Sequence, residues 1–349
     1  MKTRTWYSFN LMRFVFSIIV VLFHLHVLKG GYLGVEFFFF ISGAFLYKKV
    51  ADTDNPFNLS QYLKSRYIKF LPYTTITIFG TALLIIVYNK FPLSDTIRLL
   101  ERAFLESTLL GGFGIVGQSF TASTGFTVDV LIDGHLWFVF SLLLMIPFAA
   151  AFFKLKDKIY LLAISLMLYG FLEVKFGCIS DFASYEWTWI KPSMRTLAGL
   201  LLGGYLMYLK DSLVFIGTEV KRRVISYLSL VVSILLIIFD NYNTISYTMS
   251  EYLWILLIAV YIVFQLSTTE GKLFENKSVQ KICNNLGKIT LGIYCYHPLV
   301  LGIIGVYFPT PNMILYSVET IVFSIMLTIL TILSVNCIGS MYSKAKLLD

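Results

Sequence analysis

Long apolar segments alternate with short polar ones along almost the whole chain. Segments of sixteen or more largely apolar residues fall near 10–28, 32–49, 71–89, 136–153, 160–176, 194–209, 224–240, 251–267, 287–306 and 313–338. A bilayer core about 30 Å thick needs about 20 helical residues, and ten segments meet or approach that length. The expected fold class is therefore all-α integral membrane, a bundle of about ten transmembrane helices.

The polar segments set the sidedness. With the N-terminus cytoplasmic, the clusters "KK" (48–49), "KLKDK" (154–158) and "EVKRRV" (219–224) all fall on the inner side, as retention of basic loops requires. Asp95, Glu101, Glu106, Asp129, Asp133, Asp181, Glu186 and Asp240 fall outside. Both termini are then cytoplasmic. The stretch "LLGGFGIVG" (109–117) would upset this parity if it spanned the membrane. It is short and glycine-rich, and is read as re-entrant or interfacial within the outer loop 90–135.

Composition agrees with a membrane solvent. Of 349 residues, 57% are hydrophobic and 14% charged, where a water-soluble domain carries about a quarter. Mean hydropathy is +0.77. The net charge of +8 follows from the basic inner loops, so no nucleic-acid partner is inferred. Four cysteines without CxxC or metal-ligand spacing suggest neither a disulfide framework nor a metal site. The basic start and first apolar segment lack a small-x-small cleavage site, so they read as a retained span. No repeat or linker divides the sequence, and residues 1–349 read as a single transmembrane domain.

Ionisable groups inside membranes are costly and usually line pathways. Arg13 and His24 are eleven residues apart, about 20° from whole helical turns, and Ser17 shares their stripe. The rise between them is about 16 Å, which puts Arg13 near the cytoplasm and His24 in the outer half. His26 points about 200° away from His24. The second helix starts from the outer side, so Glu36 returns at a depth similar to His24, where a carboxylate would fix the imidazole tautomer and raise its basicity. Gly30, Gly31 and Gly34 are expected to permit the intervening turn, and Gly43 to admit a neighbouring helix.

The block "R", ten residues, "H", then "GGYLGVEFFFFISGAFL" resembles the signature of the acyltransferase 3 family of membrane O-acyltransferases. "RYIKFLPY" (66–73), "HLWFVFSLLL" (135–144) and "LGIYCYHPLV" (291–300) are similar to further blocks of that family. The resemblance implies transfer of an acyl group, usually acetyl, from cytoplasmic acyl-CoA to sugars of bacterial surface polysaccharides. It implies that His24 is the essential histidine and Arg13 its companion, and that Arg66 and Lys69 meet the donor. Lys69 stands where the family often has arginine, and Glu36 where aspartate is common. No tightly bound cofactor is implied, acyl-CoA being a co-substrate.

On this reading Arg66, Lys69 and Arg13 form a basic mouth for the CoA phosphates. His24, oriented by Glu36, deprotonates an acceptor hydroxyl or forms a transient acyl-imidazole. The acceptor is a polysaccharide or a lipid-linked glycan, and the setting is a bacterial plasma membrane, in contact with its lipids. His135 and Trp137 at the outer mouth of the fourth span, and His297 in the ninth, are candidates for the cavity or acceptor side, each with an ordinary packing or anchoring alternative. Glu319 in the tenth span has the same two readings. Tyr185, Trp187 and Trp189 fit an interfacial aromatic belt or a sugar platform. A transporter or flippase for a saccharide intermediate is the rival class, and its paired interrupted helices are not seen. A non-catalytic scaffold would leave the His24–Glu36 pair unexplained.

Overall fold

The computed structural model describes residues 6–110, 119–129, 131–179, 190–239, 247–308 and 312–345. Eleven α-helices run through them: α1 Tyr7–His24, α2 Gly34–Val50, α3 Leu59–Tyr88, α4 Leu93–Leu105, α5 Trp137–Phe152, α6 Ile159–Phe176, α7 Ile190–Leu209, α8 Glu219–Phe239, α9 Tyr247–Leu266, α10 Lys277–Tyr307 and α11 Met313–Ala345. Strand is confined, among the described residues, to a two-residue antiparallel pair, β1 Phe120–Thr121 with β2 Thr127–Val128.

Nine helices of the described residues are long and apolar enough to cross a membrane. With no water to satisfy backbone groups, helices close their own hydrogen bonds, which is why apolar runs of this length become helices rather than open sheet. The tenth expected span is α7. It forms over 20 residues, but Lys191 and Arg195 lower its apolarity, and both are buried.

The chain divides into two compact units, one of residues 1–63 and 141–287, the other of residues 64–140 and 288–349. In the first unit α2 packs on α7, α6 on α7, and α8 on α9. The α2–α7 seam is backbone against backbone. A Cβ built on Gly43 would lie 2.1 Å from the Leu200 carbonyl oxygen, and one on Gly203 2.0 Å from that of Phe40. Small residues at such crossings let membrane helices reach dispersion contact that larger side chains would prevent. Gly43 therefore acts as the sequence suggested.

Between α1 and α2 a short 3₁₀ turn, Lys29–Leu33, folds back on α1. The positive φ in this connection belongs to His26, not to a glycine. Gly31 is needed for closeness, since a Cβ there would stand 2.6 Å from the Ile19 carbonyl oxygen.

In the second unit α3, α10 and α11 pack together. Thr77 Oγ1 donates to the Cys295 carbonyl at 2.9 Å, and Tyr296 and Thr331 share a hydroxyl hydrogen bond of 2.7 Å. The outer segment expected as loop contains α4, an amphipathic helix with Leu99 and Ala103 buried. The Asp95 carboxylate accepts from Ser123 N and Oγ at 2.9 and 2.6 Å, and Arg98 lies 4.1 Å from the Phe120 ring centroid, tying α4 to the hairpin. The hydrogen bonds from Ser123 hold the Asp95 carboxyl below its ordinary range.

Candidate functional site

Helix α1 is continuous from Tyr7 to His24, so the stripe holds: Arg13, Ser17 and His24 share a face. Arg13 donates weakly to Asn10 Oδ1 at 3.5 Å and lies 5.7 Å from the Phe45 ring centroid. Asn10 in turn donates to Asn284 at 3.1 Å. Ser17 is fully buried and turns its hydroxyl to the Phe14 carbonyl at 2.7 Å. His24 is the last residue of α1, half-buried, with its ring edge-on to Phe23. His26 is exposed.

Glu36 has partners other than the one expected. It sits in the first turn of α2, and its carboxylate accepts from Arg195 Nε on one oxygen and from the Tyr169 hydroxyl on the other. Arg195 also donates through its NH2 group to the Tyr32 carbonyl at 3.0 Å. Tyr32 donates through its own hydroxyl to Glu251 at 2.5 Å, and Glu251 accepts from the Ile179 backbone at 3.1 Å. One buried network thus ties α2, α6, α7, α9 and the 3₁₀ turn. A guanidinium in the core needs a carboxylate at contact, and Arg195 satisfies that need with Glu36. The expected orientation of His24 by Glu36 is replaced by this ion pair.

Arg66 and Lys69 lie in the cytoplasmic half predicted for α3, three residues apart and so neighbours on its surface. Arg66 is half-buried and Lys69 exposed.

The second unit holds a cluster that the sequence only partly indicated. Asp133 caps the 3₁₀ turn Gly134–Leu136, its Oδ1 accepting from the His135 backbone at 3.1 Å. The same oxygen meets His135 Nδ1 at 3.2 Å. Tyr294 donates through its hydroxyl to the His135 carbonyl at 2.9 Å. Behind His135, the fully buried His297 presents its ring edge-on at 5.6 Å between centroids. Its placement follows from the local sequence "YHP". Pro298 lacks an N–H, so the Tyr294 carbonyl four residues earlier has no helical donor. His297 Nδ1 supplies it at 2.7 Å. Trp137 opens α5 half-buried, with its ring edge-on to Phe138.

Glu106 anchors the turn from beneath, accepting from the backbone of Ile132 at 2.8 Å and of Asp133 at 3.2 Å. Burial pushes its carboxyl up to about 7, against the pull of those hydrogen bonds, and nearby Asp133 adds to the rise. Arg102, whose guanidinium is pushed down by burial, donates to the Asp129 carbonyl.

Tyr185, Trp187 and Trp189, and residues 111–117 of the glycine-rich stretch, lie outside the described residues. Glu319 is half-buried in α11. Among the described residues no group of three His, Cys, Asp or Glu side chains is placed to hold a metal.

Arg195, Tyr169, Asp133 and Glu106 were not singled out by sequence. Arg195 carried a usable signal, a cation one turn inside an apolar helix. No curated protein matches the chain, and no solved structure matches it. The model of an acyltransferase domain matches residues 6–336, from the start of α1 well into α11. That match covers every block whose resemblance the sequence suggested, and nearly the whole length: the chain belongs to the acyltransferase 3 family.

Proposed function

We propose that this membrane acyltransferase moves an acyl group, acetyl in the simplest case, from cytoplasmic acyl-CoA to a hydroxyl of an exported or surface polysaccharide. The observation that carries the reading is the family match over 6–336 together with the polar stripe of Arg13 and His24 on α1. His24 is the catalytic histidine of this proposal and Arg13 its companion. Arg66 and Lys69 contact the phosphates of coenzyme A, where fixed cations make charge-assisted hydrogen bonds. The setting is the plasma membrane of a bacterium, with the acceptor on the outer side.

Glu36 has a different part from the one the sequence suggested. Paired with Arg195 and Tyr169, it holds the start of α2 against α6 and α7. Its contribution to catalysis is the shape of the first unit.

The test is mass spectrometry of surface glycans from cells with and without the protein. An alkali-labile ester increment that depends on the protein supports acyl transfer. Glycans that change in amount and carry no ester would favour export of a saccharide.

A further inference from the structure

Helix α4 has three faces of different character. At 100° per residue, Leu93, Ile97, Leu100 and Phe104 fall within about 60° of one another and form one stripe. Leu93 is 75% exposed, Ile97 49% and Phe104 62%, with Leu100 half-buried between them. Ser94, Arg98 and Glu101 are exposed on a sector turned about 100° from that stripe, with Leu105 beside them. The third face is buried and carries Leu99, Arg102 and Ala103. Polar groups help to dock it: Asp95 accepts from Ser123, and Arg102 donates to the Asp129 carbonyl. The protein thus holds α4 by a partly polar face and turns an apolar stripe outward.

Neither bulk water nor the hydrocarbon centre suits this arrangement. In water the stripe would be a row of large apolar side chains left solvated, a pattern that marks an interaction surface. In the hydrocarbon centre the exposed Arg98 and Glu101 would be stranded, and Arg98 makes no ion pair among the described residues. The 13 residues of α4 rise about 20 Å, too little to cross a bilayer. The boundary between lipid and water satisfies all three faces at once.

The span before α4 leads to the same place. Ile76, Leu83 and Val87 are exposed along the outer half of α3, on the lipid-facing side of a span. Their spacing of seven then four residues is that of Leu93, Leu100 and Phe104. Four residues separate the end of α3 from the start of α4, so α4 begins at the level where α3 leaves the membrane.

We propose that α4 lies in the outer interface of the bilayer, with Leu93, Ile97, Leu100 and Phe104 against the acyl chains of outer-leaflet phospholipid. Ser94, Arg98 and Glu101 then stand among the headgroups, where a long cationic side chain reaches water and phosphate. This seat sets the height of the β1–β2 hairpin, which α4 carries through Asp95 on Ser123 and Arg98 over Phe120. The inference goes beyond acyl transfer and does not depend on it.

The experiment uses the full chain with its native cysteines replaced, purified and reconstituted in vesicles of phosphatidylethanolamine and phosphatidylglycerol. Single cysteines carry a nitroxide, and its collision with oxygen, which concentrates in lipid, is compared with its collision with a water-soluble nickel chelate. Leu93→Cys, Ile97→Cys and Phe104→Cys should match Val87→Cys on α3, oxygen exceeding nickel severalfold. Ser94→Cys and Glu101→Cys should show the reverse. A stripe open to nickel would overturn the inference by placing α4 in water. A stripe closed to both reagents would also overturn it, by giving that face to another part of the protein. Oxygen in excess at Ser94→Cys and Glu101→Cys would do so by sinking the whole helix into hydrocarbon. A photoreactive benzophenone side chain at Phe104, in the chain with its cysteines intact, keeps the test decisive should the replaced background fail to fold. It should form an adduct with labelled phospholipid in the same vesicles. The lack of that adduct, or crosslinking confined to the chain, would overturn the inference.

Discussion

Arg195 donates through Nε to Glu36 at a place where the two side chains are 1% and 0% exposed. The pair joins α7 to α2, and its value lies less in attraction than in what removing one partner would leave. Glu36→Gln strands a guanidinium in the core, and Arg195→Ala strands a carboxylate. Either should cost about 3–5 kcal/mol. Arg195→Lys should cost nearly as much, because an ammonium cannot reach both Glu36 and the Tyr32 carbonyl with one planar fork. Thermal unfolding of the purified protein in one detergent checks all three.

Glu106 gives the second unit a dependence on pH. Its carboxyl keeps a proton to about pH 7 in the folded chain, against an ordinary 4.5. Between those values the unfolded state binds fewer protons, so stability is full below about 4.5 and falls as pH rises towards 7. The loss is on the order of 3 kcal/mol. Asp133 and Arg102 are the charged groups that bear on it. Hydrogen exchange at Ile132 and Asp133 should therefore quicken as pH rises through this window beyond the intrinsic trend. In Glu106→Gln that extra quickening should vanish.

On the proposed function, His24→Ala should lower acetyl transfer by about 10²–10⁴-fold. His26→Ala, at an exposed position off the α1 stripe, should leave it nearly unchanged. Joint replacement of Arg66 and Lys69 by Ala should weaken acetyl-CoA binding by about tenfold or more while unfolding stays as in wild type. Binding and turnover by the purified variants separate the two effects. A His26→Ala variant as inactive as His24→Ala would remove the basis for assigning the stripe.

Sidedness has a direct check. In a background without the native cysteines, Thr121→Cys should react with an impermeant maleimide in intact cells, and Lys156→Cys should react only after lysis. Both positions are exposed, so lack of reaction reports the membrane rather than burial. Labelling of position 156 from outside would reverse the assignment.

The spans were legible because a bilayer leaves the chain little choice: an apolar run of sufficient length becomes a helix. α4 was not, since its buried face carries only a few apolar residues and its length falls below a span. The α1 stripe was legible because it depends on one helix and its period. The partner of Glu36 was not, because Arg195 stands 159 positions away and depends on how α2 meets α7. His135 and His297 were visible as out-of-place polar residues. Their arrangement came from Pro298, whose missing N–H reoriented His297, and from Asp133, which read as an ordinary outer-loop acid.

The seam between α2 and α7 also limits how this protein can move. Where Gly43 meets Leu200 and Gly203 meets Phe40 there is no side-chain layer to shear, and each helix is keyed into the other's main chain. Sliding along that line would bring main-chain atoms of the two helices into collision. Contact this close makes the pair stiff against sliding along the seam. Even one added methyl group at Gly43 or Gly203 must therefore push the whole of α7 away from α2, because the atoms it meets are main chain and cannot swing aside.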